Sequence, residues 1–148
     1  MQSTVEITIK RDVEDVWDFL ADVKRDPEWI EAMSDVQLPD GGAFGPGYTF
    51  RAKYKVGGRT HDVQLVVLNC QRPDHITVKG SGPFAFESVF RCKPVEGGTT
   101  LSHQLEVGPD GCFTAVMFRL LPWIVRGSLT GQMTKELNAL KTILESGS

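Results

Sequence analysis

YTFRAKYKVGGRTHDVQLVV, residues 48–67, holds two alternating runs on either side of Gly57-Gly58. Paired glycines between such runs signal a two-residue β-hairpin. Pairing Val56 with Arg59 then sets Tyr54 opposite His61, Ala52 opposite Val63, Phe50 opposite Leu65 and Tyr48 opposite Val67. All of these share one face. The other face carries Arg51, Lys53, Lys55, Asp62 and Gln64. A slip of one residue would turn the apolar set to solvent, so turn and pattern support the same register.

The chain continues in this manner to residue 107, giving five strands in all. A reversal near residues 71–74 predicts Val67 opposite Ile76. The Gly80-Ser81-Gly82 loop predicts Val78 opposite Phe84 and Ile76 opposite Phe86. The turn at residues 95–98 sets Phe90 opposite His103 and Ser88 opposite Leu105. The paired residues build one aromatic-rich concave face with a few polar groups.

Upstream, residues 4–10 alternate, with Val5, Ile7 and Ile9 on one side of a half-buried strand. Asp12 reads as an N-cap for a short amphipathic helix through Val13, Val16, Trp17 and Leu20. Asp26-Pro27 can start a second short helix through Trp29 and Ile30. The Gly/Pro loop at residues 38–47 leads into a strand rather than a helix, so it is no phosphate cradle. Downstream of Gly108-Pro109-Asp110-Gly111, a helical pattern runs from Cys112 to about Glu145, and Pro122 is expected to kink or break it. Leu129, Met133, Leu137, Leu140 and Leu144 form its apolar stripe.

With 148 residues, the chain is expected to fold as one domain spanning 1–148. Its 41% hydrophobic and 24% charged residues are globular values. A net charge of −3 gives no reason to expect nucleic acid as a partner. Residues 1–10 lack the apolar run of a signal peptide. The most apolar stretch, 116–125, is broken by Arg119 and Pro122, so no stable membrane insertion is expected. A cytoplasmic location follows as the expectation. Three widely spaced cysteines, Cys70, Cys92 and Cys112, suggest reduced thiols rather than disulfides or a zinc site.

The order of elements, and the passages VEDVWDFLADVKRDPEWI (13–30), GPGYTF (45–50), VVLNCQRPDHITVKG (66–80), GGTTLSHQLEV (97–107) and LLPWIVRGSLTGQMTKELNALKTILE (120–145), resemble the START/Bet v 1-like (SRPBCC) superfamily. Within it the chain is most similar to the small bacterial polyketide cyclase/dehydrase and lipid-transport-like proteins. The resemblance covers essentially the whole chain. It implies an α+β helix-grip fold: a seven-stranded curved antiparallel sheet, two short helices after the first strand, and a long C-terminal helix across the concave face. Residues 33–38 would be the second strand. The superfamily uses the space between helix and sheet for lipids, polyketides and other apolar ligands. Some members are enzymes and many are carriers or regulators, so the chemistry has to be read from the site.

No hydrolase, zinc-protease, P-loop or dinucleotide motif is present, and no cofactor or metal is expected. His103, between Leu101 and Leu105 on the apolar strand face, could orient or protonate a ligand carbonyl. The competing reading is a core histidine satisfied by a neighbouring hydroxyl. His61 could line the pocket mouth or merely stabilise its hairpin. Arg126 falls on the inner stripe of the last helix, where it could grip an anionic head, or else stay solvated. Met117 and Met133 suit an adaptable pocket wall or an ordinary core. The expected ligand-binding set is thus Tyr48, Phe50, Tyr54, His61, Leu65, Phe84, Phe86, Ser88, Phe90, His103, Leu105, Met117, Arg126 and Met133, with His103 the one catalytic candidate. The expected function is binding a hydrophobic small molecule for transport, sequestration or sensing, by a monomer or homodimer. The alternatives are a polyketide cyclase, aromatase or dehydrase using the same cavity, and a protein-interaction regulator.

Overall fold

A computed structural model describes residues 2–56, 58–82, 85–108 and 122–146, with side chains in the last segment described from Thr130 onward. The seven strands are β1 (Gln2–Ile9), β2 (Met33–Gln37), β3 (Thr49–Val56), β4 (Arg59–Gln71), β5 (His75–Ser81), β6 (Ala85–Val95) and β7 (Gly98–Gly108). They form one antiparallel sheet in the order β1-β7-β6-β5-β4-β3-β2. Helix α1 (Val13–Ala21) follows β1, and helix α2 (Pro122–Glu145) packs against β1. This is the Bet v 1-like helix-grip architecture. Among the described residues no helix is long and apolar enough to cross a membrane.

The β3–β4 register is the one the double glycine dictates: Val56↔Arg59, Tyr54↔His61, Ala52↔Val63 and Phe50↔Leu65. The β6–β7 register also follows its turn, with Phe90↔His103 and Ser88↔Leu105. Three expected pairings differ. Val67 pairs with Val78, not Ile76: the turn sets Gln71 opposite His75 and Cys70 opposite Ile76, and a bulge between Val67 and Asn69 then takes up one residue. Leu68 falls in that bulge and is left exposed. Val78 pairs with Ser88 rather than Phe84, and Ile76 with Phe90 rather than Phe86. The chain stays extended through Ser81 before reversing, which moves the turn along. The partners shift by four residues, an even number, so every side chain keeps its expected face.

The expected helix at Asp26-Pro27 is instead the end of a 3-10 helix, Val23–Glu28. Asp26 is buried within it and is no N-cap. Asp12 does sit at the N-cap of α1, though its side chain makes no capping hydrogen bond. The described part of the last helix runs from Pro122, so the expected kink or break there is not tested. The expected helical run at residues 112–121 lies outside the described residues.

Val16, Phe19 and Leu20 of α1 are buried with Ile9 and Leu101 of the sheet. Met133, Leu137, Leu140 and Leu144 of α2 are at most 2% exposed, so the predicted stripe faces inward. Each such side chain contributes about 1.5–3 kcal/mol by leaving water. The C-terminal end of α2 is fastened by Arg11, whose guanidinium donates to the Leu144 carbonyl and also to Asp15 of α1. The buried Thr99 hydroxyl donates to the Arg11 carbonyl at 2.8 Å, tying that hub to β7.

Two glycines make contrasting tests of this packing. A Cβ on Gly98 would collide with the Ile9 carbonyl, a backbone group in the paired strand that cannot move aside. A Cβ on Gly131, exposed on α2, would meet nothing within 4 Å. Gly98→Ala is therefore expected to lose about 1–3 kcal/mol. Gly131→Ala is expected to gain about 0.5–1 kcal/mol from reduced chain freedom in the unfolded state. Urea unfolding of both variants checks the opposite signs.

Candidate functional site

β7 pairs with β1 on one side and β6 on the other, so its inward residues sit well inside the sheet. His103 is one of them and is 5% exposed. Its ring stacks on that of Phe90, directly across on β6, with centroids 4.2 Å apart and planes 17° apart. Its Nε2 lies 3.2 Å from the Ser88 hydroxyl, one pleat along β6. Its Nδ1 is buried with no hydrogen-bond partner. No charge compensates this burial, which lowers the imidazole pKa to about 3. At neutral pH the ring is uncharged and offers a hydrogen bond rather than a mobile proton.

Trp29, just past the 3-10 helix, meets the same Phe90 ring. Its ring is edge-on to Phe90 at 5.9 Å, and it is 4% exposed. Asp26 is its neighbour. Burial pushes that carboxyl well above the usual range. The Trp29 indole N–H turned toward it opposes the shift, and Asp22 adds to it.

Tyr54 stands across from His61 on the same face, its ring 5.8 Å from Phe86. Burial raises the pKa of its phenol, and the carboxyls of Asp26 and Glu136 raise it further. Glu136 reaches inward from α2 and accepts a hydrogen bond from Gln132 Nε2 at 3.2 Å. Its pKa rises to about 7, mainly by burial; Gln132 opposes the rise and Glu31 adds to it.

The expected wall residues divide clearly. Phe50, Leu65, Ser88, His103 and Met133 are buried. Tyr48, Tyr54, His61, Phe86, Phe90 and Leu105 are half-buried on the same sheet face. Ring contacts link Phe44, Tyr48 and Phe50 in a row and extend it to Trp17 of α1. His61 and His103 lie three strands apart, so they do not converge. Phe84, Met117, Cys112 and the side chain of Arg126 lie outside the described residues.

Sequence reading missed Asp26, Trp29 as a polar group, and Glu136. Glu136 was accessible: residues 129, 133, 136 and 140 follow one helical face. Asp26 was not, because its inward direction depends on the 3-10 geometry. Among the described residues no cluster of His, Cys, Asp and Glu could hold a metal ion. Burial raises the Cys92 thiol pKa to about 12, with Asp74 adding to it, and raises that of Cys70, so neither is an activated nucleophile. A groove of about 510 Å³ on the convex face, lined by Arg51, Lys53, Asp62 and Gln64, lies on the other side of the sheet from His103. Its charged walls do not suit an apolar ligand.

Glu136 also makes stability depend on pH. Its folded pKa of about 7 lies above the ordinary 4.5, so folding favours the protonated form. The stabilisation is complete below the ordinary value and disappears as pH rises through about 7. The Glu136 contribution to the unfolding free energy is expected to fall by on the order of 1–2 kcal/mol between about pH 5 and pH 8, discounted for the exposed part of the side chain, while the depressed His103 contributes in the opposite sense below its ordinary value of 6.5. Denaturant titrations of wild type and Glu136→Gln across this range are expected to differ by that fall, because the contributions of Asp26, of the same sign, and His103, of the opposite sign, are present in both.

Solved structures share this fold at low identity. TTHA0849 from Thermus thermophilus superposes with a TM-score of 0.79 at 14% identity over 100% of both chains. A conserved protein from Geobacillus kaustophilus gives 0.72 at 22% identity, covering 99% of this chain and 96% of its own. Ara h 8.0201 gives 0.74 at 15% identity over 99% of each chain. No curated protein matches in sequence. Residues 1–145 match the family model described as "Polyketide cyclase / dehydrase and lipid transport", and the chain belongs to that family, whose SRPBCC architecture implies a hydrophobic ligand-binding cavity.

Proposed function

We propose that this protein is a single ligand-binding domain that holds a hydrophobic small molecule between the concave sheet and α2, for transport, sequestration or sensing. The observation that carries the reading is His103. It is a buried, uncharged ring among aromatic side chains, with one nitrogen on Ser88 and the other unpaired. Such a group orients the polar end of an otherwise apolar ligand. The family supports the same reading, since lipid transport is among the roles its description names. The wall is the predicted set, including Tyr48, Phe50, Leu65, Phe86, Ser88 and Met133, with Tyr54 and Glu136 supplying further polar contacts.

The enzymatic alternative would use His103 as a general acid or base. Efficient proton exchange needs a pKa near the working pH. A ring held down to about 3 is poorly matched to that task, which favours binding over turnover.

Two measurements follow. N-phenyl-1-naphthylamine, an apolar fluorescent probe, is expected to bind with roughly micromolar affinity. Ser88→Trp, which fills the space beside His103, should abolish this signal while circular dichroism stays native. Unchanged binding in that folded variant would place the site elsewhere. For 2-acetylnaphthalene, a ligand with one carbonyl, His103→Gln should retain most affinity and His103→Leu should lose about 1–3 kcal/mol. A turnover that both substitutions eliminate, with ligand still bound, would show catalysis instead.

A further inference from the structure

Helix α2 is held differently toward the two edges of the sheet, β1 and β2. It packs against β1 and is tied to that side along its length. The Ser3 and Thr130 hydroxyls share a hydrogen bond, the Lys10 amide donates to Glu145, and Arg11 donates to the Leu144 carbonyl. Toward the β2 edge it reaches across through Lys135, whose ammonium pairs with Glu31 at 2.9 Å. The two side chains are 68% and 65% exposed, and ion pairs in that setting hold weakly. Glu31 stands in the turn between the 3-10 helix and β2. That turn is itself pinned to β3, where the Lys55 amide donates to the Ala32 carbonyl at 2.9 Å. The weak side of the grip is therefore the α2 side of this seam.

Glu136 stands on that seam, next to Lys135 and between Met133 and Leu137, which are each 1% exposed. Gln132 Nε2 donates to it at 3.2 Å, and the same Gln132 amide also stabilises the Glu31 carboxylate. Glu136 and Asp26 both act on the Tyr54 phenol, so these groups gather where α2, the 3-10 helix and β3 meet. Asp22 lies behind Asp26, and His61 is the cross-strand neighbour of Tyr54. The inward residues of β1, Ser3, Val5, Ile7 and Ile9, carry no charge, and His103 on β7 is neutral. Lys135, the cation at this seam, is already paired with Glu31. Among the described residues Glu136 has no ion-pair partner of its own. Protonated, it is a neutral side chain in a mostly apolar contact. Ionised, it sets a second negative charge beside Glu31 and a buried charge against the core, both of which favour separation.

We infer that the pocket opens along the seam between α2 and the β2 edge, and that a proton on Glu136 keeps this seam shut. The inference rests on the pocket reading above and adds a regulation to it: ligand exchange is slow at acid pH and fast at alkaline pH. A lid of this kind serves entry and exit alike. It therefore raises both rates in step and leaves the affinity nearly unchanged. A negative charge that merely spoiled the pocket wall would speed release alone.

Stopped-flow fluorescence with N-phenyl-1-naphthylamine, which stays uncharged in this range, tests the device. For a group with a pKa of about 7, the ionised fraction grows about tenfold between about pH 6 and about pH 8. Association and release of the probe are both expected to quicken by that factor in the wild type. Glu136→Gln cannot ionise and should show the slow acid-pH rates throughout. Rates in the wild type that do not change with pH would overturn the inference while leaving the apolar pocket intact. So would a release that quickens without the association, or a pH-dependent rise that persists in Glu136→Gln. Absence of probe binding at either pH would overturn the pocket reading and this inference with it. Should Glu136→Gln not fold, the wild type decides. The midpoint of the rise in rates is expected to coincide with the titration of the Glu136 carboxyl ¹³C resonance, and separate midpoints overturn the inference.

Discussion

The pleat of the sheet, with its two-residue period, is the constraint on which the rest of the molecule depends. It commits Tyr54, Phe50 and Leu65 to one face and Lys53, Arg51 and Gln64 to the other as soon as the β3–β4 hairpin closes. An apolar face of that breadth cannot remain in water, and the leucine stripe of α2 covers part of it. The fastening of α2 at Arg11, and the aromatic row from Trp17 to Phe50, secure a geometry that the alternation has already imposed.

This explains which features were legible in the sequence. Facing is a matter of parity, and parity survives errors of register. The β5–β6 register was misplaced by four residues, yet Ile76, Val78, Phe86 and Ser88 still fell on the expected face. The bulge in β4 was invisible because nothing in VVLNC marks which residue is left over. The inward carboxyls were harder. Asp26 beside a proline looks like a helix start, and its burial arises only once the 3-10 helix packs against β2. Glu136 lay on a readable stripe, but a carboxylate there conflicts with the ordinary preference for solvent.

Electrostatically, the interior is arranged to remain uncharged near neutral pH. Burial removes the proton from His103, keeps protons on Asp26 and Tyr54, and places Glu136 near its midpoint. Asp26 and His103 are thus held as neutral hydrogen-bonding groups, and Glu136 is half protonated near pH 7. A pocket of this kind discriminates by the placement of donors and acceptors rather than by net charge, which suits ligands that are oily but not featureless.

The bulge at Leu68 has a consequence for how such a pocket can change. β4 runs for 13 residues, and a strand of that length can wrap around a helix only if it coils. One unpaired residue supplies local bend and extra twist at its middle. The curvature of the wall, and with it the girth of the space it encloses, is therefore set in part by an insertion whose side chain points to water. Adding or removing a single backbone unit there would resize the chamber while every lining residue kept its identity, so capacity and chemical preference can drift independently.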